Sequence, residues 1–173
     1  MRHGTCPFLR SRAGVTGHVI APSAGPTRTE TDCLAHGQGG VATDPQATRG
    51  HCVVDHLAIH RSASLGQWVA AVAGLACDVG EKGQHGLLAT RQSRAACVSD
   101  ASHRIVCHYT PKHCSWLTQS EIWLRIVVRQ LLPRGSFLAV EDLKARVLAF
   151  IAYYNRTMAN PFKGTDQGKP LTA

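Results

Sequence analysis

Acidic side chains are scarce in this chain. Its 173 residues hold 11 Asp and Glu against 19 Lys and Arg, a formal charge of +8 with histidine neutral. That balance suits an anionic partner, of which nucleic acid is the commonest, beside the plainer reading of a solvated positive surface. Also missing is any CxxC pair. The seven cysteines, Cys6, Cys33, Cys52, Cys77, Cys97, Cys107 and Cys114, are odd in number and scattered. A disulfide framework belongs to smaller secreted chains, so these are read as reduced thiols. Met1-Arg2-His3-Gly4 leads into no apolar signal segment, and no run approaches the length of a membrane span. The expectation is a cytoplasmic protein without a membrane or small-molecule partner. Internal repeats and low-complexity segments are absent too.

What is present is enough for one domain. Apolar residues make up 44% of the chain, so a core can form. The first 50 residues show little periodicity. His18-Val19-Ile20-Ala21-Pro22 reads as a short strand stopped by its proline. Thr27 to Ala42 starts like a helix, with Thr27 or Thr29 as cap, but Gly37, Gly39 and Gly40 argue against it. Cys52-Val53-Val54 reads as a buried strand ending at Asp55. Ser62 to Ala76 has helical apolar spacing at Leu65, Trp68, Val69, Val72 and Leu75. A glycine-rich excursion covers residues 77–87, a short helix Ala89 to Val98, and a strand Ile105 to Tyr109. Helices are expected over Ser115 to Leu132 and over Val140 to Tyr154, and an irregular tail from Asn160 to Ala173.

Two carboxylates stand out by context. Asp55 ends an apolar strand, and Glu121 lies in a helix rich in Trp, Leu, Ile and Val, where burial is costly unless the acid is paired, protonated or on a metal. A strand-end acid and a helix acid are how two-metal nuclease sites are assembled, and Mg²⁺ requires oxygen ligands. The plain alternative is an edge Asp at a turn and a Glu on a wet helix face. Cys107, His108, His113 and Cys114 fit no standard zinc spacing, and alternate strand residues point apart. His60, five residues after Asp55, is either near the acid, on DNA or on the surface. Trp116 and Trp123 lie seven apart and read as core. Lys112, His113, Arg125, Arg129 and Arg134 are candidates for DNA phosphates or for solvated surface.

Longer segments sharpen this. Val53-Val54-Asp55-His56-Leu57-Ala58-Ile59-His60 and the stretch from His108-Tyr109-Thr110-Pro111-Lys112-His113 through Ser115-Trp116-Leu117 to Glu121 resemble two segments of mariner-like bacterial insertion-sequence transposases. Gly25-Pro26-Thr27-Arg28-Thr29-Glu30, Tyr153-Tyr154-Asn155-Arg156 and Gly168-Lys169-Pro170-Leu171-Thr172 also match, so the resemblance runs from Arg2 to Ala173. It implies an α/β, ribonuclease-H-like fold, a mixed sheet flanked by helices, over residues 1–159 with the tail beyond. It also implies a DDE endonuclease site with Asp55 and Glu121 as catalytic residues and ligands of two Mg²⁺ ions. The parent activity is DNA cleavage and strand transfer, the partners being transposon ends, target DNA and another transposase chain.

Departures from the family pattern qualify the activity. The first Asp of the triad belongs to a strand upstream of the segment matching Arg2-His3-Gly4-Thr5, so the fold is expected without its first strand and the chain inactive alone. The other expectations are a catalytically dead DNA-binding or transposase-pairing module, or a gene remnant. His56 and Thr118 stand where the family has Asn, Pro7 opens a segment expected as a central strand, and the glycines at 37–40 replace helix.

Overall fold

The computed structural model describes residues 7–75, 79–112, 119–161 and 163. The arrangement is mixed α/β, with two small sheets flanked by helices. Strand β1 (Phe8–Arg12) pairs antiparallel with β2 (Val19–Ala24), and β3 (Gly50–Val54) pairs parallel with β4 (Ile105–Tyr109). Helix α1 (Glu30–Ala42) follows β2. A 3-10 turn (Ala58–Arg61), α2 (Ala63–Val72) and α3 (Arg91–Val98) lie between β3 and β4. Helix α4 (Gln119–Gln130), a 3-10 turn (Leu132–Arg134) and α5 (Val140–Thr157) complete the order. No helix among the described residues is long and apolar enough to cross a membrane.

Two expectations in the first 50 residues are corrected. Pro22 does not stop its strand. The β1–β2 register shifts between Leu9 and Ser11, and Ala21 takes a positive φ of 47°. Pro22 therefore sits beside a bulge, where its missing N–H costs the ladder little. The glycines at 37–40 do not interrupt α1 either. Thr29 closes a capping box with Asp32, accepting the Asp32 N–H while the Asp32 carboxylate accepts the Thr29 N–H at 2.8 Å. The packing around the glycines would admit a side-chain Cβ at ordinary contact distance. A Cβ on Gly37 would lie 3.7 Å from the Trp68 ring, and one on Gly39 3.5 Å from the Ala21 Cβ.

The other helices move only at their ends. Ser62 caps α2, which stops at Val72 before Gly74, whose φ of 69° suits a residue without a side chain. Thr90 caps α3, and α5 runs on to Thr157. Ser115, where α4 is expected to begin, lies outside the described residues with Trp116, Cys114 and His113, as does most of the tail.

Apolar residues gather in two clusters. One joins Val19 of β2 to Trp123 and Val127 of α4 and to Ile151 and Tyr154 of α5, with Phe8 stacked on Trp123. The other packs Ile105 and Cys107 of β4 against Leu65 and Val69 of α2 and Val98 of α3, with Cys52 and Val54 of β3 beside them. Helix α1 touches both parts, reaching β1 and β2 on one side and α2 on the other. Asn155 of α5 clips onto β2: its Oδ1 accepts the Val19 N–H at 2.8 Å and its Nδ2 donates to the Val19 carbonyl at 2.9 Å.

Trp123, 1% exposed, is core as its spacing implies, and truncation leaves a large void among rings that do not close over it. Trp123→Ala is expected to cost about 3–5 kcal/mol of unfolding free energy. Leu138→Ala, at a residue 85% exposed, should stay within about 0.5 kcal/mol. Urea denaturation of the two variants checks the pair, and equal losses would show that the first cluster is not the core described here.

Candidate functional site

Asp55 follows directly on β3, at the end of a strand whose inward side chains, Cys52 and Val54, anchor it to the second cluster. Several bonds hold the segment that follows. The Thr110 N–H donates to the Val54 carbonyl at 2.9 Å, extending the parallel ladder past β4. His56 Nε2 donates to the Thr110 carbonyl at 2.6 Å, and the Tyr109 hydroxyl donates to the His60 carbonyl at 2.6 Å. The His56 that departs from the family pattern is therefore a cross-strand tie. Asp55 Oδ1 accepts the Leu57 N–H at 3.0 Å, an Asx-type turn, and lies 3.2 Å from His60 Nε2. Of the three positions open to His60 in the sequence, the structure takes the one beside the acid.

The tautomers follow from the chain of partners. Burial is the main force lowering the His60 pKa, with Arg28 and His36 adding to it against the pull of Asp55. Burial likewise raises the Cys33 thiol, helped by Asp55 and Glu30. A protonated Cys33 Sγ then donates to His60 Nδ1, 3.7 Å away, and a neutral His60 donates from Nε2 to Asp55. The His60–Asp55 contact is thus a hydrogen bond from a neutral ring at neutral pH. Its raised pKa keeps Cys33 a packed thiol, not a nucleophile. His36 is held in the same way, with Nδ1 donating to the Ala21 carbonyl at 2.8 Å and the Ser11 hydroxyl 2.9 Å from Nε2. Its pKa is also lowered, chiefly by burial. Cys33 and His36 went unnoticed in the sequence, where nothing separates them from scattered polar residues.

Glu121 occupies the first turn of α4, where a carboxylate complements the helix dipole. Of the two settings open to it in the sequence, a compensated acid among apolar neighbours or a Glu on a wet helix face, Glu121 takes the second and is exposed. Trp123 and Val127 take the buried face of α4, and Ile122, Leu124 and Val128 are also partly open to solvent. The charge facing Glu121 is Arg10 of β1, whose own pKa is lowered by burial and lifted by Glu121. Asp55 and Glu121 share no hydrogen-bond partner among the described residues. Electrostatic neighbours connect them in series, His60 with Asp55, His36 with His60, Arg10 with His36 and Glu121 with Arg10.

Lys112, Arg125 and Arg129 are exposed, and His113 and Cys114 are not among the described residues. Cys107 faces the core while His108 points outward, stacked on His51 with 2.9 Å between ring nitrogens. That divergence disposes of a shared ligand set for the two. Asp55 and Glu121 offer the oxygen donors a magnesium ion takes, but no group of three or more His, Cys, Asp or Glu able to hold a metal comes together among the described residues. These residues alone do not make a metal cage.

A mixed α/β fold with an acid at the end of a parallel strand does not by itself define a function. The family comparison decides the matter. Residues 21–144 match the model of the DDE superfamily endonucleases, more than half of the chain, and the chain belongs to that family. The match spans β2 to the start of α5 and includes both Asp55 and Glu121. Searches of curated proteins and of solved structures find no match.

The lowered histidines set a pH dependence. Unfolded, His60 and His36 take up protons near pH 6.5; folded, they resist protonation until lower pH. Their contribution is therefore complete above that point and is lost as pH falls toward the folded values. Urea unfolding between pH 7.5 and 5 should show falling stability, with a shallower slope in His60→Gln and in His36→Gln. A slope that both variants leave intact would contradict the neutral-ring assignment.

Proposed function

We propose that this chain is part of a transposase catalytic domain of the mariner-like insertion-sequence type, in which Asp55 and Glu121 are two of three carboxylates that act on DNA. The observation that carries this reading is the placement of Asp55 at the end of a parallel strand, fixed by His60 and the Leu57 N–H, inside a segment matched to the DDE endonucleases. The two-stranded sheets support a ribonuclease-H-like origin. Each is drawn with an edge to spare, β1 beyond its pairing with β2 and β3 beyond its pairing with β4. A strand pairing with both would merge them into one mixed sheet and would be the natural bearer of the third carboxylate. The parent chemistry is in-line attack on phosphodiester phosphorus, first by water and then by a 3′-hydroxyl, for which magnesium supplies charge neutralisation when bound.

The chain itself binds DNA without cutting it. Among the described residues no third carboxylate joins Asp55 and Glu121, which would leave a two-metal site under-coordinated, and Arg10 is an electrostatic neighbour of Glu121. The excess of 19 basic over 11 acidic residues supports a polyanionic partner, with Lys112, His113, Arg125 and Arg129 as phosphate contacts. Pairing with another transposase chain is the route by which such a domain would act. Purified chain with supercoiled plasmid and Mg²⁺ should give background nicking only, and salt-dependent binding to duplex DNA. Mg²⁺-dependent nicking that Glu121→Ala abolishes would refute the inactivity, and no binding even at low salt would refute the DNA partner.

A further inference from the structure

The 3-10 turn that carries His60 also walls a cavity of about 160 Å³. A cavity needs only about 10–15 Å³ of such volume to hold one water, so this one has room for a tetrahedral oxyanion and solvent. Its charged lining is lopsided: Arg61, Lys82, Arg91 and Arg94 against Glu30 alone. Arg94 is only 6% exposed. Its guanidinium donates to the carbonyls of Arg61, at 2.8 Å, and Leu88, and no carboxylate pairs with it among the described residues. Arg61 donates from Nη2 to the His56 carbonyl at 3.0 Å, while its Nε is buried with no hydrogen-bond partner among the described residues. Arg61 is half-buried, and its guanidinium also meets His56 Nδ1 and the Tyr109 ring. Arg94 is the desolvated cation here, and a buried cation bound only to neutral groups is costly, a cost that falls when an anion enters.

Glu30 already shows that the spot favours negative charge. Its carboxylate accepts the Ser64 N–H of the first turn of α2 at 2.8 Å, and that bond is the largest influence holding its pKa below the ordinary value. Lys82 stands 3.5 Å away and adds to the shift. We propose that the cavity is a phosphate-binding site, and that its ligand in function is a phosphodiester of a DNA strand lying beside the Asp55 segment. The second half of this proposal rests on the DNA-processing reading; the first does not. Ala58, Ile59 and Arg61 line the cavity while His60, within the same turn, holds Asp55. One turn of chain thereby couples the position of a bound phosphate to that of the acid.

The test is an NMR titration of the full chain, first with inorganic phosphate and then with a short single-stranded oligonucleotide. Phosphate should shift the amides around Ser62, Lys82, Arg91 and Arg94 saturably. Arg91→Ala should weaken it about five- to tenfold, the scale of one charge-assisted bond. Glu30→Gln, which keeps an acceptor for Ser64 but removes the competing charge, should tighten it by about threefold or more. Damage to the fold would weaken binding in both variants, so opposite signs isolate the site. No shift at these amides, or variants that fail to move affinity in opposite directions, would overturn the phosphate site. An oligonucleotide that displaces phosphate supports the phosphodiester assignment. Oligonucleotide binding that ignores both variants overturns the phosphodiester assignment and leaves the DNA reading intact. Phosphate binding with the expected signs, but no oligonucleotide binding here while duplex DNA still binds the chain, likewise overturns the phosphodiester assignment and leaves a site for free phosphate; no binding of either nucleic acid overturns the DNA reading itself.

Discussion

The junction where the parallel pair ends governs what the rest of the molecule can do. Three contacts lie within a few residues of each other: Thr110 on Val54, His56 on Thr110 and the Tyr109 hydroxyl on the His60 carbonyl. Each uses a backbone group of one segment to fix the other. A strand end is ordinarily where the ladder frays, and here it is continued by side chains. Without these ties Asp55 would sit on a free loop, and both the His60 contact and the wall of the basic cavity would move with it.

That junction also relates the two apolar clusters. The second is built on β3 and β4 and holds the strand-end acid; the first is built on β2, α4 and α5 and holds the helix carrying Glu121. Helix α1 is the shared element, and its Cys33 and His36 face the two sides, Cys33 toward His60 and His36 toward Ser11 and Ala21. Helix α1 thus supplies a polar contact to each side, Cys33 to the His60 segment and His36 to the first hairpin. The two histidines, their pKa values lowered chiefly by burial, are neutral at neutral pH, and the charges that act on them are Asp55, Arg28 and Arg10.

Much of this was legible in the sequence where periodicity or capping chemistry is strong. Val140 onward declares its apolar face, Ile105 to Tyr109 its strand, and Leu65, Trp68, Val69 and Val72 the helix that follows Ser62, and each element forms within a few residues of the expected place. The failures share a physical cause. Gly37, Gly39 and Gly40 look like helix breakers because propensity counts the chain alone, whereas in the fold the Thr29–Asp32 capping box and the packing of α1 on β1, β2 and α2 offset their cost. Pro22 looks like a stop because a regular ladder needs its N–H, and a bulge removes that need. Asp55 was visible as a strand-end acid. Its partners Cys33 and His36, and the meeting of Arg61, Arg91 and Arg94 around one cavity, depend on helices crossing far apart in sequence, and no local pattern encodes such a meeting.

The Asn155 clip has a meaning for the molecule in crowded solution. An outer strand offers unpaired N–H and C=O groups that invite a second chain to add on, and proteins blunt such edges. By giving Val19 both a donor and an acceptor, one amide side chain occupies the place of a neighbouring strand residue. Helix α5 thereby covers the Val19 end of the β1–β2 hairpin's outer edge through a single residue 136 positions away, and Asn155→Ala would hand those two backbone groups back to any strand that approached.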